Sequence, residues 1–283
     1  MLYTEHQPST LLGRHLECVW FAVDDDSADS VKAEQKVLPD GCIEWVFHLG
    51  DRFRRKECGE WLLQPQSFVV GEMTRYLILQ PTGRLRTMGV RFRPGGAYRF
   101  LPFPVIDLTD QVVETGDIWG SEGANLEDAV LTASTDVERM RLVEDFLLGR
   151  LRVVDPRPRF EAAIAEVLRS HGLARVDDVA TKVNWSPRQL EREFRANAGL
   201  TPKAMARIIR FQNLLRLIGE NALREWATIA ISVGYADQPH MVREFRAYAG
   251  QTPTEKELNA VGELARHFIS PKRLATLLGG PQV

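Results

Sequence analysis

The chain has 283 residues, 44% of them hydrophobic and 26% charged, with a formal net charge of −2. That composition suits a folded globular protein long enough for two cores and excludes a disordered or low-complexity chain. No apolar run nears the roughly 20 residues that span a bilayer, so no membrane partner is expected.

The opening residues, MLYTEHQPST, carry neither the basic nor the apolar segment of a secretory signal, so none is expected. Cys18, Cys42 and Cys58 form no CxxC pair, which speaks against a disulfide framework or a zinc site. Reduced thiols in a cytoplasm are the simpler reading. The small net charge hides an asymmetry. Residues 1–156 hold 17 Lys and Arg against 25 Asp and Glu, whereas residues 157–258 hold 16 against 12. An acidic first half before a basic second half is compatible with a polyanion partner for the second.

Residues 1–116 read as β-rich. Ile43, Trp45, Phe47 and Leu49 alternate with Cys42, Glu44, Val46 and His48, the period of a strand. Short runs follow at Ser67–Val70, Tyr76–Leu79 and Thr87–Phe92, separated by Gly, Pro and Asp. Gly83 is expected to turn one antiparallel pair. Several short strands with turns point to a sandwich or barrel of jelly-roll type.

Helical spacing then takes over at Asn125–Ala133 and Asp136–Leu151. Val137, Met140, Val143, Leu147 and Leu151 form a stripe that packs either on the domain or against a second copy, which would make a homodimer. VVDPRPRF, at 153–160, has two prolines and reads as an inter-domain linker. The expected division is 1–155 for a β-rich sensor or dimerisation domain, 156–260 for an all-helical domain and 261–283 for a C-terminal extension.

The second half repeats itself. EFRANAGLTP begins at Glu193, and EFRAYAGQTP begins 51 residues later at Glu244, with eight of ten positions identical. In the first copy Val176–Val183 is a short helix. Ser186, Pro187 and Gln189 then supply an N-cap, a first-turn proline and a capping-box partner for a second helix that stops at Gly199. Thr201 and Pro202 start a third. In the second copy Ile229–Val233, Gly234 and Asp237 take the same parts, with Pro239 in the first turn and Gly250 as the stop. Thr252, Pro253 and Glu255 then open another helix. Short helix, tight turn and capped helix make a helix-turn-helix, written twice.

At 100° per residue, Leu190, Phe194, Asn197 and Ala198 share one arc of the first capped helix. Arg188, Glu191, Arg192 and Arg195 share the opposing arc. In the second, Met241, Phe245 and Tyr248 form the core stripe, with Pro239, His240, Arg243 and Arg246 roughly opposite. One such face alone is usually only a solvated surface. Two, each behind a short helix and a turn, point to DNA, because Arg serves both guanine edges and phosphates and Glu accepts from cytosine.

On these residues the segment 160–258 resembles the DNA-binding domain of AraC/XylS-type transcription regulators. The matching pieces are VATKVNWSPRQLEREFRANAGLTP, IAISVGYADQPHMVREFRAYAGQTP and the central MARIIRFQNLLRLI. Gly234, Tyr235, Asp237, Arg243 and Phe245 carry the core of the family signature. The resemblance implies a bacterial, cytoplasmic regulator of double-stranded promoter DNA, with RNA polymerase as a partner if it activates. Two recognition helices would enter major-groove segments about 34 Å apart. On that pattern Arg188, Glu191 and Arg192, and then Gln238, Pro239 and Arg243, read bases, while Gln189, Arg195 and Arg246 bind phosphates. The sequence departs from the family at Met241, where an aromatic is usual, and at Lys256–Glu257, where an aromatic–Arg pair is usual. Pro239 offers no side-chain donor.

LPDGCIEWVFHLGD, FVVGEMTR and GVRFRPGGAYRFLP are similar to a recurrent type of cupin-like sensor domain attached to such regulators. A small-molecule effector would bind between the sheets, with Glu44, Trp45, Phe47, His48, Arg91 and Arg93 as its expected lining. The fold expected is thus α+β in two domains: a jelly roll with trailing helices, then a double helix-turn-helix. No catalytic residue, metal or cofactor is assigned, since His6, His15 and His48 do not make a cupin metal set. The rival readings are a metal enzyme or repair protein with an appended DNA-binding module, and an interaction scaffold.

Overall fold

The structure is a computed structural model that describes residues 1–24, 34–151, 157–220 and 225–253, with Gly219 and Glu220 described as backbone only. The expected linker residues 153–156, the helix opened by Pro253 and Glu255, Lys256–Glu257 and the extension 261–283 lie outside the described residues.

The alternation read at residues 42–49 is a strand in a sheet buried on both faces. Ten strands are described: β1 Leu2–His6, β2 Leu16–Asp24, β3 Gln35–Val37, β4 Glu44–His48, β5 Phe53–Glu57, β6 Glu60–Leu63, β7 Ser67–Val70, β8 Leu77–Pro81, β9 Leu85–Phe92 and β10 Val112–Glu114. One sheet runs β1-β2-β9-β4-β7-β10 and the other β3-β8-β5-β6, and every pair is antiparallel. Four strands in the order β2-β9-β4-β7 against four in the order β3-β8-β5-β6 is the jelly-roll arrangement, with β1 and β10 added at the edges.

Between the sheets lie Cys18, Trp20, Ala22, Val46, Phe68, Phe53 and Leu79. The opposite face of the larger sheet buries Val19, Phe21, Trp45, Phe47, Val69 and Val90. Two-sided burial explains why β2 is apolar along most of its length rather than alternating. Gly83 does not turn a paired hairpin. It joins β8 to β9, which belong to different sheets. A glycine turn signals that the chain reverses, not that its flanking strands pair.

Helices cover that second face. α1, Thr115–Thr132, starts ten residues before the expected Asn125 and kinks at Gly120, which has φ 62° and ψ −144°. Gly116, Gly120 and Gly123 dilute its helical signal. α2, Asp136–Arg150, is capped by Thr135, whose hydroxyl accepts from the Glu138 amide. Its stripe turns inward: Val143 and Leu147 are fully buried in the domain core, and Met140 and Leu151 pack on it. Of the five stripe residues only Val137, 71% exposed, faces solvent.

The second half is helical: α3 Pro158–Arg169, α4 Val176–Lys182, α5 Pro187–Ala198, α6 Pro202–Glu220, α7 Trp226–Ser232 and α8 Gln238–Ala249. Phe160 packs edge-on against Phe194, and Phe211 of α6 against Phe245 and Tyr248, so α6 joins the two helix pairs through one core. No helix among the described residues is long and apolar enough to cross a membrane.

Candidate nucleic-acid interface

Both helix pairs close with the same bonds. The amides of Trp185 and Tyr235 donate to Ala180 and Ala230, one helix earlier. Asn184, φ 54°, and Gly234, φ 86°, hold the left-handed position of each turn. The Ser186 hydroxyl accepts from the Gln189 amide, and the Asp237 carboxylate accepts from the His240 amide. Gly199 and Gly250 end the helices at φ 74° and 71°. One residue differs. Two steps lead from Asn184 to its cap and three from Gly234 to its cap, because Ala236 is inserted. The repeat offset is therefore 50 before the turn and 51 after it, and the two prolines fall at different positions of the first turn.

Each capped helix buries one stripe and exposes the other. Leu190, Phe194 and Ala198 are buried, as are Met241, Phe245, Tyr248 and Ala249. Arg188, Glu191, Arg192 and Arg195 are exposed, as are Gln238, Pro239, Arg243 and Arg246, while Gln189 is half-buried beside its cap. These exposed side chains are not equally available. Glu191 Oε1 accepts from Arg195 Nη2 at 2.9 Å and Nε at 3.2 Å. Arg192 leans on Glu193, which also holds Arg157 at 2.8 Å. Among the described residues, Arg188, Arg243 and Arg246 form no ion pair. Glu244, in the core of the second unit, accepts from Arg207 Nε of α6 at 2.7 Å and ties α8 to α6.

The first domain grips both units at their stop glycines. The Thr109 hydroxyl donates to the carbonyl of Gly199, and Val105 lies against the same glycine. Lys36 Nζ donates to the Ala249 carbonyl at 2.8 Å and to Gln251 Oε1 at 2.9 Å, while lying over the Tyr76 ring. A Cβ on Gly250 would come within 2.4 Å of Tyr76. Between these two grips, Gln212 of α6 donates to the Pro39 carbonyl, and Leu38 and Cys42 enter the helical core. Lys36, Thr109 and Tyr76 carry no local sequence signal of this role.

Inside the jelly roll, the side chains that point between the sheets enclose a cavity of about 70 Å³. Glu44, His48 and Arg91 of the expected lining are there, beside Asp40, Gln64 and Thr87, which sequence reasoning missed. Trp45, Phe47 and Arg93 are not. Trp45 and Phe47 point to the helix side, against Trp119 and Phe146, because neighbours on a strand face opposite ways. Arg93 donates to the Gly13 carbonyl instead. The same alternation, applied to β2 and β9, picks out Trp20 and Thr87.

Arg91 is fully buried among Glu17, Asp40 and Glu44. Burial alone would lower its pKa, but Asp40, Glu44 and Glu17 hold it well above the usual value. Burial, and then Asp40, push the nearby Glu72 carboxyl well up. Burial likewise raises the Cys42 thiol. The His48 ring, hydrogen-bonded to Gln64, is lowered to about 4 by burial.

Residues 179–257 match the sequence family of a helix-turn-helix domain, and residues 4–114 match a domain of unknown function (DUF6597). No curated protein sequence matches the chain. Among solved structures, an AraC-type transcriptional regulator from Chromobacterium violaceum is 24% identical over 38% of this chain and 95% of its own, with a TM-score of 0.33. ToxT from Vibrio cholerae is 9% identical over 93% of this chain and 100% of its own, at a TM-score of 0.44. An unsaturated-fatty-acid-bound ToxT is 12% identical over 84% and 93%, at 0.41. With its two capped helix pairs and central α6, the segment 179–257 is a helix-turn-helix domain of the AraC type.

Proposed function

We propose that the chain is a sequence-specific regulator that reads DNA with α5 and α8 together and takes a small-molecule signal through its jelly roll. Arg188, Glu191 and Arg192 read bases in one groove segment, and Gln238, Pro239 and Arg243 in the next. Gln189, Arg195 and Arg246 contact phosphates. The observation that carries this reading is the pair of Arg-bearing faces, each opposite a buried anchor, Phe194 or Phe245. Arg is suited to both tasks: its planar fork meets guanine or a phosphate through two bonds. The pairing of Glu191 with Arg195 adds a detail. Arg195 is aimed by a neighbour that would let go of it to accept from a cytosine.

The role is regulatory rather than enzymatic, exercised on promoter DNA in a bacterial cytoplasm, with RNA polymerase as the partner of an activating form. Self-association through residues 136–151 would draw, of the apolar stripe, on Val137 alone, and DNA reading by two units of one chain does not need it. The test is selection of bound fragments from a random promoter library at moderate salt. An enriched motif with two parts is expected, and the absence of any enriched motif would leave an interaction scaffold as the better reading.

A further inference from the structure

The edge of a sheet carries a row of unpaired amides and carbonyls, and folded proteins cover or charge it. Four edges are described here, β1 and β10 in the larger sheet and β3 and β6 in the smaller. β3 is held against the helical domain by Lys36, which donates to Ala249. β10 runs directly into α1. β1 ends in the exposed Glu5 and His6. β6 is less protected. Its one charged residue, Glu60, stands beside the turn, and Leu62 and Leu63 are 41% and 50% exposed.

Register decides which main-chain groups of β6 are free. β5 and β6 form a hairpin around Cys58 and Gly59, at φ 49° and 90°. The Gln64 amide donates to the Phe53 carbonyl at 2.8 Å, which makes Phe53 and Gln64 a bonded pair. In an antiparallel ladder bonded pairs recur at every second residue. Glu60, Leu62 and Gln64 therefore turn their main chain toward β5, and Trp61 and Leu63 turn theirs away. Among the described residues nothing bonds to the Trp61 or Leu63 main chain. Two amides and two carbonyls stand open beside two exposed leucines.

The side chains follow the same alternation. Phe53 and Gln64 line the cavity between the sheets, so Leu62 shares that inner face and Trp61 and Leu63 lie on the outer one. Arg54 and Lys56 of β5 lie over the Trp61 ring, at 5.0 and 5.4 Å from its centre.

This edge is complementary to itself. Antiparallel pairing of β6 with a two-fold image can be centred on any of three residues. Centred on Trp61, it sets Leu63 against Gly59 in the turn. Centred on Leu63, it sets Trp61 against Pro65, which has no amide to give. Centred on Leu62, it sets Trp61 of each copy against Leu63 of the other, and every open amide and carbonyl is bonded. Leu62 then faces Leu62 across the axis, and Trp61 packs beside the second copy's Leu63 on the outer face. Glu60 faces Gln64, so no like charges are opposed. The two Glu60 residues lie four positions apart, about 13 Å, beyond the screening length of about 8 Å.

We propose that the chain forms a two-fold dimer through β6, joining two four-stranded sheets into one continuous sheet. Four residues a side is well short of the roughly 20 of a standard interface, so the dimer exchanges with single chains at micromolar concentration. The dimer needs no DNA and does not rest on the regulator reading.

The test is sedimentation of the full chain without DNA from about 1 to 200 μM. The mass should rise from that of one chain to that of two across this range. The mass of a single chain at the highest concentration overturns the proposal. Leu63→Lys should weaken the dimer about tenfold, and Val137→Lys on α2 should leave it unchanged. A dimer that Val137→Lys weakens as much as Leu63→Lys does, or that Leu63→Lys leaves intact, overturns it too.

Oxidative cross-linking reads the register. In a Cys58→Ser background, Leu62→Cys puts two thiols at a non-bonded pair, with Cα atoms about 4.5 Å apart and within disulfide reach. Leu63→Cys puts them about 8 Å apart, beyond that reach. Covalent dimer from Leu62→Cys and not from Leu63→Cys is expected, and equal yields or the reverse order overturn the proposal. The sedimentation series runs on the unmutated protein and does not depend on any variant folding.

Discussion

Lys36 Nζ lies 2.8 Å from the carbonyl oxygen of Ala249, at the C-terminal end of α8. The two residues are 213 apart in sequence and belong to different domains. A cation at a helix C-terminus satisfies a carbonyl that the helix cannot and meets the negative end of its dipole. At the first helix the uncharged Thr109 hydroxyl satisfies the Gly199 carbonyl in the same place. The first domain thus holds α5 and α8 at their ends, and their relative placement depends on it. Lys36→Met should cost about 1 kcal/mol of stability and loosen α8. In binding assays on sites with altered half-site spacing, the variant should tolerate a one-base-pair insertion that the parent protein rejects. Equal discrimination by both proteins would show that α6 alone sets the spacing.

The reading faces make separable predictions. Arg192→Ala and Arg243→Ala should each cost about 1–3 kcal/mol and relax base preference at their own positions. Arg195→Ala should weaken all sequences alike and lower the salt slope by about 0.9. Glu191→Ala should release Arg195 from its partner and relax preference without changing that slope. Affinity measured over a salt series on matched and mismatched sites separates the three patterns.

His48 makes stability depend on acid. Its folded pKa is about 4, below the unfolded value of 6.5, because burial disfavours the charged ring. As pH falls the unfolded chain takes the proton first, so the contribution is complete above 6.5, declines from there, and is gone below 4. The full difference is about 3 kcal/mol. Denaturant unfolding of the parent protein and of His48→Gln across this range should diverge at pH 7 and converge toward pH 4. Parallel curves would mean that the ring is not buried as a neutral group.

Gly250 combines two constraints. At φ 71° any side chain is strained, and here it would also meet the Tyr76 ring. Gly250→Ala should cost about 1–2 kcal/mol from the backbone alone and more from the contact. Adding Tyr76→Ala should recover the second part but not the first. Thermal melting of the two single variants and the double variant checks this, and strict additivity of the two changes would remove the contact from the account.

What the sequence made legible follows physical range. Caps and stops act over three or four residues, so Ser186, Asp237, Gly199 and Gly250 announce the helix-turn-helix units directly. Strand alternation is equally local, yet the expected pocket mixed both faces. Glu44 and His48 point between the sheets, while Trp45 and Phe47 cannot point there with them. Gly83 shows a longer-range limit, since whether β8 and β9 pair depends on the other strands. α1 was half hidden by its glycines. The bonds from Lys36 to Ala249 and from Thr109 to Gly199 had no sequence signal, because each partner looks ordinary in its own neighbourhood.

Hydroxyl-radical footprinting on a selected site tests most directly whether α5 and α8 read DNA as one rigid pair. Two protected segments on one face of the duplex, about 10 base pairs apart, are predicted, with Arg192→Ala fading one and Arg243→Ala the other. A single protected segment, or protection lost evenly by either variant, would contradict it.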